Sequence, residues 1–351
     1  MRFGKKQSLV GLDIGSHTIK AVELEMLANK TYRLAHWGIS PPLAEAIVDG
    51  EVMDRQLVTD AISNLLESSG IASRQVVAAV SGRAVIVKKI AMNKLSPEDA
   101  QQAVYWEAEQ HVPYDINDVS LDFEILGPSP SDPKQMQVLL VAAKKDMVAS
   151  FSALIREAGL HPLIVDVDSF AVQNAIESNY DFGHDEVVAI LNVGAEITNI
   201  DIIRGGVPYF TKDAQIGGQT FIEAAQRKLN LSASEAAAVV RGEADGGDSI
   251  GPVIEQACDG LGLALDRAQA FLRTTGEAAA ITRIMLCGGS AMTPGLTDYL
   301  NRRFGVPTEI ANPLSRIAYD PSLFAGQDVH RVAPLLTVGI GLALRRLGDK
   351  K

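Results

Sequence analysis

Apolar positions along the chain change rhythm several times, and each rhythm marks an element. Residues 9–25 read as an apolar strand, a turn carrying Asp13 and Gly15, and a second strand with Val22 and Leu24 on one face. Over 54–69, Leu57, Val58, Ala61, Ile62, Leu65 and Leu66 recur at helical spacing, with Asp54 as the cap and Gly70 as the stop. Two strands follow within 76–90, VVAAV and AVIVKKI, joined at Ser81-Gly82-Arg83. A helix should open at Ser96 and Pro97, with Asp99 at the capping-box position, and run to about His111 before Pro113. A strand near Val119 to Leu126, the loop GPSPSDPKQ, the buried strand MQVLLVAA and a helix over 146–158 complete a compact α+β unit at 84–158. Beyond it lie a strand end and helix at 161–180, the buried strand EVVAILNVG and a helix-rich stretch at 215–280. Last come the strand ITRIMLCGGS, a connection at 325–331 and a final helix from about Pro334.

One pattern occurs twice. Residues 10–18 read VGLDIGSHT and residues 189–197 read AILNVGAEI, about half a chain apart. Each is an apolar strand, then Asp or Asn, a β-branched residue, Gly and a small residue, with a further strand behind it. A tight strand–Gly–strand turn can aim backbone N–H groups at an anion, and Gly permits close approach of phosphate oxygens. Ser16 and Thr18 add hydroxyls and Lys20 a positive charge, whereas Asp13 suits a hydrated Mg²⁺ bridging to phosphate. An ordinary β-hairpin would also use Asp and Gly. The third segment, LCGGSAMTPGLTDYL, runs from a buried strand through Gly288, Gly289 and Ser290 into a helix from about Pro294. Paired glycines there leave room for a flat base or ribose, and a helix N-terminus faces a phosphate well. Three such elements in this order are more specific than any one.

Bulk properties narrow the classes. At 351 residues, with 47% apolar and 21% charged positions, the chain has material for two lobes. A net charge of −11 disfavours nucleic acid as a partner. The basic residues near the ends, Arg2, Lys5, Lys6, Arg345, Arg346, Lys350 and Lys351, read as solvated termini or as a marginal attraction to anionic lipid. Cys258 and Cys287 show no metal or disulfide spacing and fit a reducing cytosol, with Cys287 a small buried residue. No secretory signal is visible, and no run reaches the roughly 18 apolar residues that span a bilayer. Leu335 to Leu344 reads as a buried core helix.

The order DIGS, NVGAEITN, CGGSAMTPGL and LLTVGIGLAL resembles the actin, chaperone and sugar-kinase superfamily. Within it, YWEAEQHVPYDINDVSLDFEIL at 105–126, VLLVAAKKDMV, VDVDSFAVQNA and VPTEIANPLSRI resemble the PilM family of type IV pilus assembly proteins over nearly the whole chain. The resemblance implies an α/β, actin-like (ribonuclease H-like) two-lobed fold of the FtsA type. Subdomain 1A would comprise 1–83 and about 159–185, the inserted 1C 84–158, 2A 186–214 and 281–351, and 2B 215–280. It implies ATP or ADP with Mg in the central cleft. Asp13 (holding Mg through water), Gly15, Ser16, His17, Thr18 and Lys20 would form the first phosphate turn, and Asn192, Gly194, Ala195, Glu196 and Thr198 the second. Gly217 and Gly218 would lie near the nucleoside, and Gly288, Gly289, Ser290 and Met292 beside the adenosine. Asp166 and Asp168 stand where related ATPases keep a catalytic carboxylate or amide, or else cap the helix from about Ser169. Asn192 replaces the Asp of many relatives, and an amide is no base. Ala237 and Val240 stand near positions where relatives often carry Glu and Lys, with Glu235 or Arg241 as substitutes. Nucleotide binding is therefore better supported than turnover.

By the same resemblance, the partner is the N-terminal cytosolic peptide of PilN, held in a groove between 1A and 1C. Arg83, Val85, Val87, Trp106 and Gln110 are the candidates, with Trp106 either an exposed anchor or packed against a neighbouring strand. Such a protein sits at the cytoplasmic face of the inner membrane through its partner. Other pilus inner-membrane components, motor ATPases and self-association are further possibilities. The competing readings are an FtsA-like filament former and a small-molecule kinase of the same superfamily.

Overall fold

The computed structural model describes residues 9–346 except 44, 49, 83, 130, 131, 248 and 275–279. The first lobe starts as an antiparallel meander of β1 (Val10–Ile14), β2 (Ile19–Met26) and β3 (Tyr32–Ile39). A two-strand hairpin, β4 (Ile47–Val48) and β5 (Glu51–Val52), leads into α1 (Arg55–Ser68). The Asp54 carboxylate caps α1 by accepting the Leu57 N–H at 3.0 Å, and Gly70 takes φ +69° beyond its end. β6 (Gln75–Val80) returns parallel to β1, and its residues Val76 to Val80 are all buried, as a strand covered on both faces must be.

β6 and the next strand do not pair with each other, although only a few residues separate them. β7 (Val85–Asn93) leaves for a second, three-stranded sheet together with β8 (Val119–Pro128) and β9 (Gln135–Lys144), in the order β7-β9-β8. Between them α2 (Pro97–His111), capped by Ser96 on the Asp99 N–H at 3.1 Å, lays Ala100, Val104 and Ala108 on Ile90, Val138 and Leu140. α3 (Lys145–Glu157), read from sequence as part of this inserted unit, puts Leu154 and Ile155 into the first lobe's core, and Glu157 pairs with Arg55 at 2.8 Å. β10 (His161–Val167) then lies parallel to β6, and α4 (Asp168–Asn179) follows directly.

The second lobe repeats the plan. β11 (Val187–Val193), β12 (Thr198–Arg204) and β13 (Val207–Ala214) form the meander. A helical excursion of α5 (Gly218–Leu229), α6 (Ala233–Val240) and α7 (Ile250–Thr274) precedes β14 (Arg283–Cys287), α8 (Leu296–Phe304) and β15 (Thr308–Ile310). The sheets run β3-β2-β1-β6-β10 and β13-β12-β11-β14-β15, the same order of antiparallel and parallel pairs. The sequence echo is thus a duplicated sheet, with Asp13 opposite Lys20 in one copy and Asn192 opposite Asn199 in the other.

The chain ends by returning to the first lobe. The 325–331 connection contains the start of a short helix, α9 (Val329–Val332), capped by Asp328. After a 3₁₀ turn at Ala333–Leu336 comes α10 (Thr337–Leu344), buried from Thr337 to Ala343. It packs against α4 and β1 so closely that a β-carbon on Gly341 would sit 1.7 Å from the Ala171 carbonyl oxygen, and one on Gly11 1.9 Å from that of Gly339. Arg345 does not dangle in solvent. Its guanidinium meets the Asp166 carboxylate at 2.9 Å, and Arg346 lies over the Tyr32 ring. Residues 1–8 and 347–351, with their basic side chains, fall outside the described residues. Among the described residues no helix is long and apolar enough to cross a membrane.

Candidate functional site: a cleft between two matching turns

The β1–β2 turn closes with the Gly15 N–H on the Thr18 carbonyl at 3.3 Å, and the β11–β12 turn with the Gly194 N–H on the Ile197 carbonyl at 2.9 Å. The second turn is clamped from two sides. The Gly218 and Gln219 N–H groups of α5 donate to the Gly194 and Ala195 carbonyls at 3.0 and 2.7 Å, and the Ser290 N–H donates to the Val193 carbonyl at 2.9 Å. Glycine is needed for this clamp. A β-carbon on Gly217 would lie 2.6 Å from the Ala195 oxygen, one on Gly218 2.2 Å from Ser290 Oγ, and one on Gly288 2.6 Å from Asn192 Oδ1. Gly288 also holds φ +92°. Those three glycines serve internal packing. Gly289 is exposed with open space where a side chain would be.

The other anticipated residues divide the same way. Ser16, Thr18, Gly194, Ala195, Glu196 and Met292 are partly open, and His17 is exposed. Thr198 is fully buried and donates its hydroxyl to the Ile216 carbonyl at 2.7 Å, so it anchors the turn instead of offering a donor to the cleft. Asn192 is buried and gives its amide N–H to Asn199 at 2.8 Å. α8 begins at Leu296, after Gly295 at φ +86°, leaving Pro294 in the preceding turn.

Charge gathers at the bottom of the cleft. Lys20 Nζ meets Asp13 at 3.2 Å. Asp168 does not cap α4; the capping position is Val167, without a side-chain bond, and Asp166 is taken by Arg345. Instead Asp168 faces the first turn. Exclusion of water, with the Asp13 carboxylate next in weight, pushes its carboxyl up to about 7, while a hydrogen bond from Ser81 pulls the other way. Asp201 on β12 is raised to about 7 as well, chiefly by burial, with the nearby Thr211 and Ser169 hydroxyls pulling the other way. His17, exposed on one side only, is held below its usual range by partial loss of water, then by the Arg241 and Lys20 charges. Burial pushes the Cys287 thiol up to about 12, as befits an inert core residue.

Asp213, Asn199, Asp201 and Ser81 were not singled out from sequence. Their membership depends on which strands pair: Asp213 lies opposite Asn199, which lies opposite Asn192. Among the described residues no three His, Cys, Asp or Glu side chains close around a bare ion. One or two carboxylates beside a lysine fit a hydrated Mg²⁺ that takes its remaining ligands from water and phosphate.

The four anticipated partner residues that are described do not converge. Arg83 lies outside the described residues. Val85 and Val87 line a cavity of about 310 Å³ with Ser81, Ser169, Thr211 and Asp213, between β7 and β13. Trp106 is 72% exposed on the outer face of α2, one helical turn from exposed Gln110.

Two lobes with duplicated ribonuclease H-like sheets, a matching glycine turn after the first strand of each, and a unit inserted after β6 define an actin-like fold. The description of the type IV pilus assembly protein PilM family matches residues 11–347, and the chain belongs to that family. A solved PilM–PilN type IV pilus biogenesis complex contains a chain 30% identical to this one, covering 97% of it and 98% of that chain, with a TM-score of 0.85. The ethanolamine utilization protein EutJ of Carboxydothermus hydrogenoformans is 15% identical over 97% of this chain and 90% of its own (TM-score 0.57). MreB5 of Spiroplasma citri, solved with AMPPNP, is 12% identical over 96% and 95% (TM-score 0.54). These two share the fold.

Proposed function

We propose that the chain is the actin-like, nucleotide-binding component of a type IV pilus inner-membrane assembly subcomplex and binds the N-terminal cytosolic tail of PilN. The observation that carries this is the end-to-end likeness to the chain in the PilM–PilN complex. ATP or ADP enters between the two turns. Lys20, Ser16 and Thr18 would meet its phosphates, Asp13 and Asp168 would hold a hydrated Mg²⁺, and Gly289 with Met292 would border the nucleoside. Mg²⁺, when bound, would supply positive charge to offset the phosphates, and Asp168 beside it would serve as a carboxylate. With Asn192 where a carboxylate would serve as base, the nucleotide acts first as a ligand that sets the lobes. The PilN tail occupies the side of the inserted unit that carries Val85 and Val87, where β7 is an edge strand able to accept an extended peptide. The protein is thereby held at the cytoplasmic face of the inner membrane by its partner, where other pilus components reach it.

Calorimetric titration with the N-terminal peptide of the PilN from the same genome, with and without Mg-ATP, tests this. Saturable binding that is lost on Val87→Glu and kept on Trp106→Ala is expected. No binding in either nucleotide state overturns the partner assignment. Loss on Trp106→Ala instead moves the site to α2.

A further inference from the structure

In the first lobe the residue pair behind the glycine turn is charged: Asp13 faces Lys20 across β1 and β2 at 3.2 Å. The same two positions of the second lobe hold the amides of Asn192 and Asn199. There the polar contact does not stop at two strands. Asn192 Nδ2 donates to Asn199 Oδ1 at 2.8 Å, Asn199 Nδ2 donates to Asp213 Oδ1 at 2.7 Å, and Asp213 Oδ2 accepts the Gly82 N–H at 2.7 Å. Gly82, at φ +89°, belongs to the link on which the inserted unit leaves the first lobe.

The direction of this chain is dictated by Asp213. A carboxylate only accepts, so Asn199 must present its NH₂ to it and its oxygen to Asn192, and Asn192 must in turn present its NH₂ to Asn199. The Asn192 oxygen is left toward Gly288, in the loop that leads to Gly289.

We propose that Asp213 is a positioning residue: it orients the Asn192 carboxamide through Asn199 and ties that orientation to the Gly82 link, so that nucleotide in the cleft steadies the base of the inserted unit. This rests on the nucleotide reading above. It makes use of a carboxylate from a different lobe than the link it holds, which is what a connection between lobes requires.

The test exchanges the two middle members of the relay, positions 199 and 213. In Asp213→Asn, the side chain at position 213 can satisfy Gly82 or Asn199 in the original sense, but not both. In Asn199→Asp, two carboxylates meet without a donor. The double variant combines Asp213→Asn with Asn199→Asp. Its amide at position 213 donates to the carboxylate at position 199 and accepts from Gly82, while that carboxylate accepts from Asn192, restoring all three contacts. Mg-ADP affinity is measured for each by calorimetry, and hydrogen exchange is followed at Gly82. The wild type should bind Mg-ADP and slow its Gly82 exchange. Each single variant should lose about tenfold in affinity, the scale of one hydrogen bond to a charged group, and lose the nucleotide effect on exchange. The double variant should recover both. Nucleotide binding with an unchanged exchange response in Asp213→Asn, or failure of the double variant to recover while its thermal midpoint matches the wild type, overturns the relay alone. No nucleotide binding by the wild type overturns the nucleotide reading and the relay with it.

Discussion

Asp168 shows how a single side chain can carry both a cost and a use. Its carboxyl titrates at about 7 in the folded chain against 3.8 normally, so between those values the folded state keeps a proton that the unfolded state has released. The stability contributed there is full below about pH 4, falls as the pH rises to about 7, and is flat beyond; Asp201 adds a fall of the same sign. Asp168→Asn should therefore raise the urea midpoint of the nucleotide-free protein at pH 8 relative to pH 5, compared with wild type, and weaken Mg-nucleotide binding. Equal slopes in the two proteins would place Asp168 in water. The two glycine turns were legible in the sequence because a repeated pattern is local. The partners of Asn192 were not, because Asn199 and Asp213 join it only through strand register. Thr198 was misassigned for a related reason: a hydroxyl beside a glycine turn looks available until the Ile216 carbonyl is seen to occupy it.

At the scale of elements, caps made the helices readable. Asp54 and Ser96 each bond the N–H three residues on, and both helices start as their spacing indicates. What periodicity could not give was which sheet a strand joins. β6 and β7 follow each other in sequence yet belong to different sheets, and α3 follows the inserted strands yet packs on the first lobe. The close crossing of α4 and α10 makes a sharp prediction. Gly341→Ala forces a methyl group into the Ala171 carbonyl, and the backbone on both sides must shift. A loss of about 1–3 kcal/mol in urea unfolding is expected, the range for overpacking a tight core. Little change would mean that the two helices part easily.

Over the whole molecule, duplication explains why the fold class could be read from a few short segments. Two sheets of one topology place a glycine turn at equivalent positions of the two halves. The inequivalence is chemical. The first half keeps Asp13 and Lys20, and the second keeps two amides and borrows its negative charge from Asp213. The inserted unit meets the second lobe along β7 and β13, both edge strands of their sheets. The cavity lined by Val85 and Val87 accordingly takes its walls from both the inserted unit and the second lobe.

The burial of α10 also sets an order in time. Val22, Leu24 and Leu34, from the opening meander, share a hydrophobic cluster with Leu336, Ile340 and Ala343. During synthesis the first sheet emerges early and waits, one face uncovered, until the residues of α10 leave the ribosome. A chain stopped after Val332 should thus lose cooperative unfolding of its first lobe, read as increased proteolysis within 10–39, although every residue of that sheet is present.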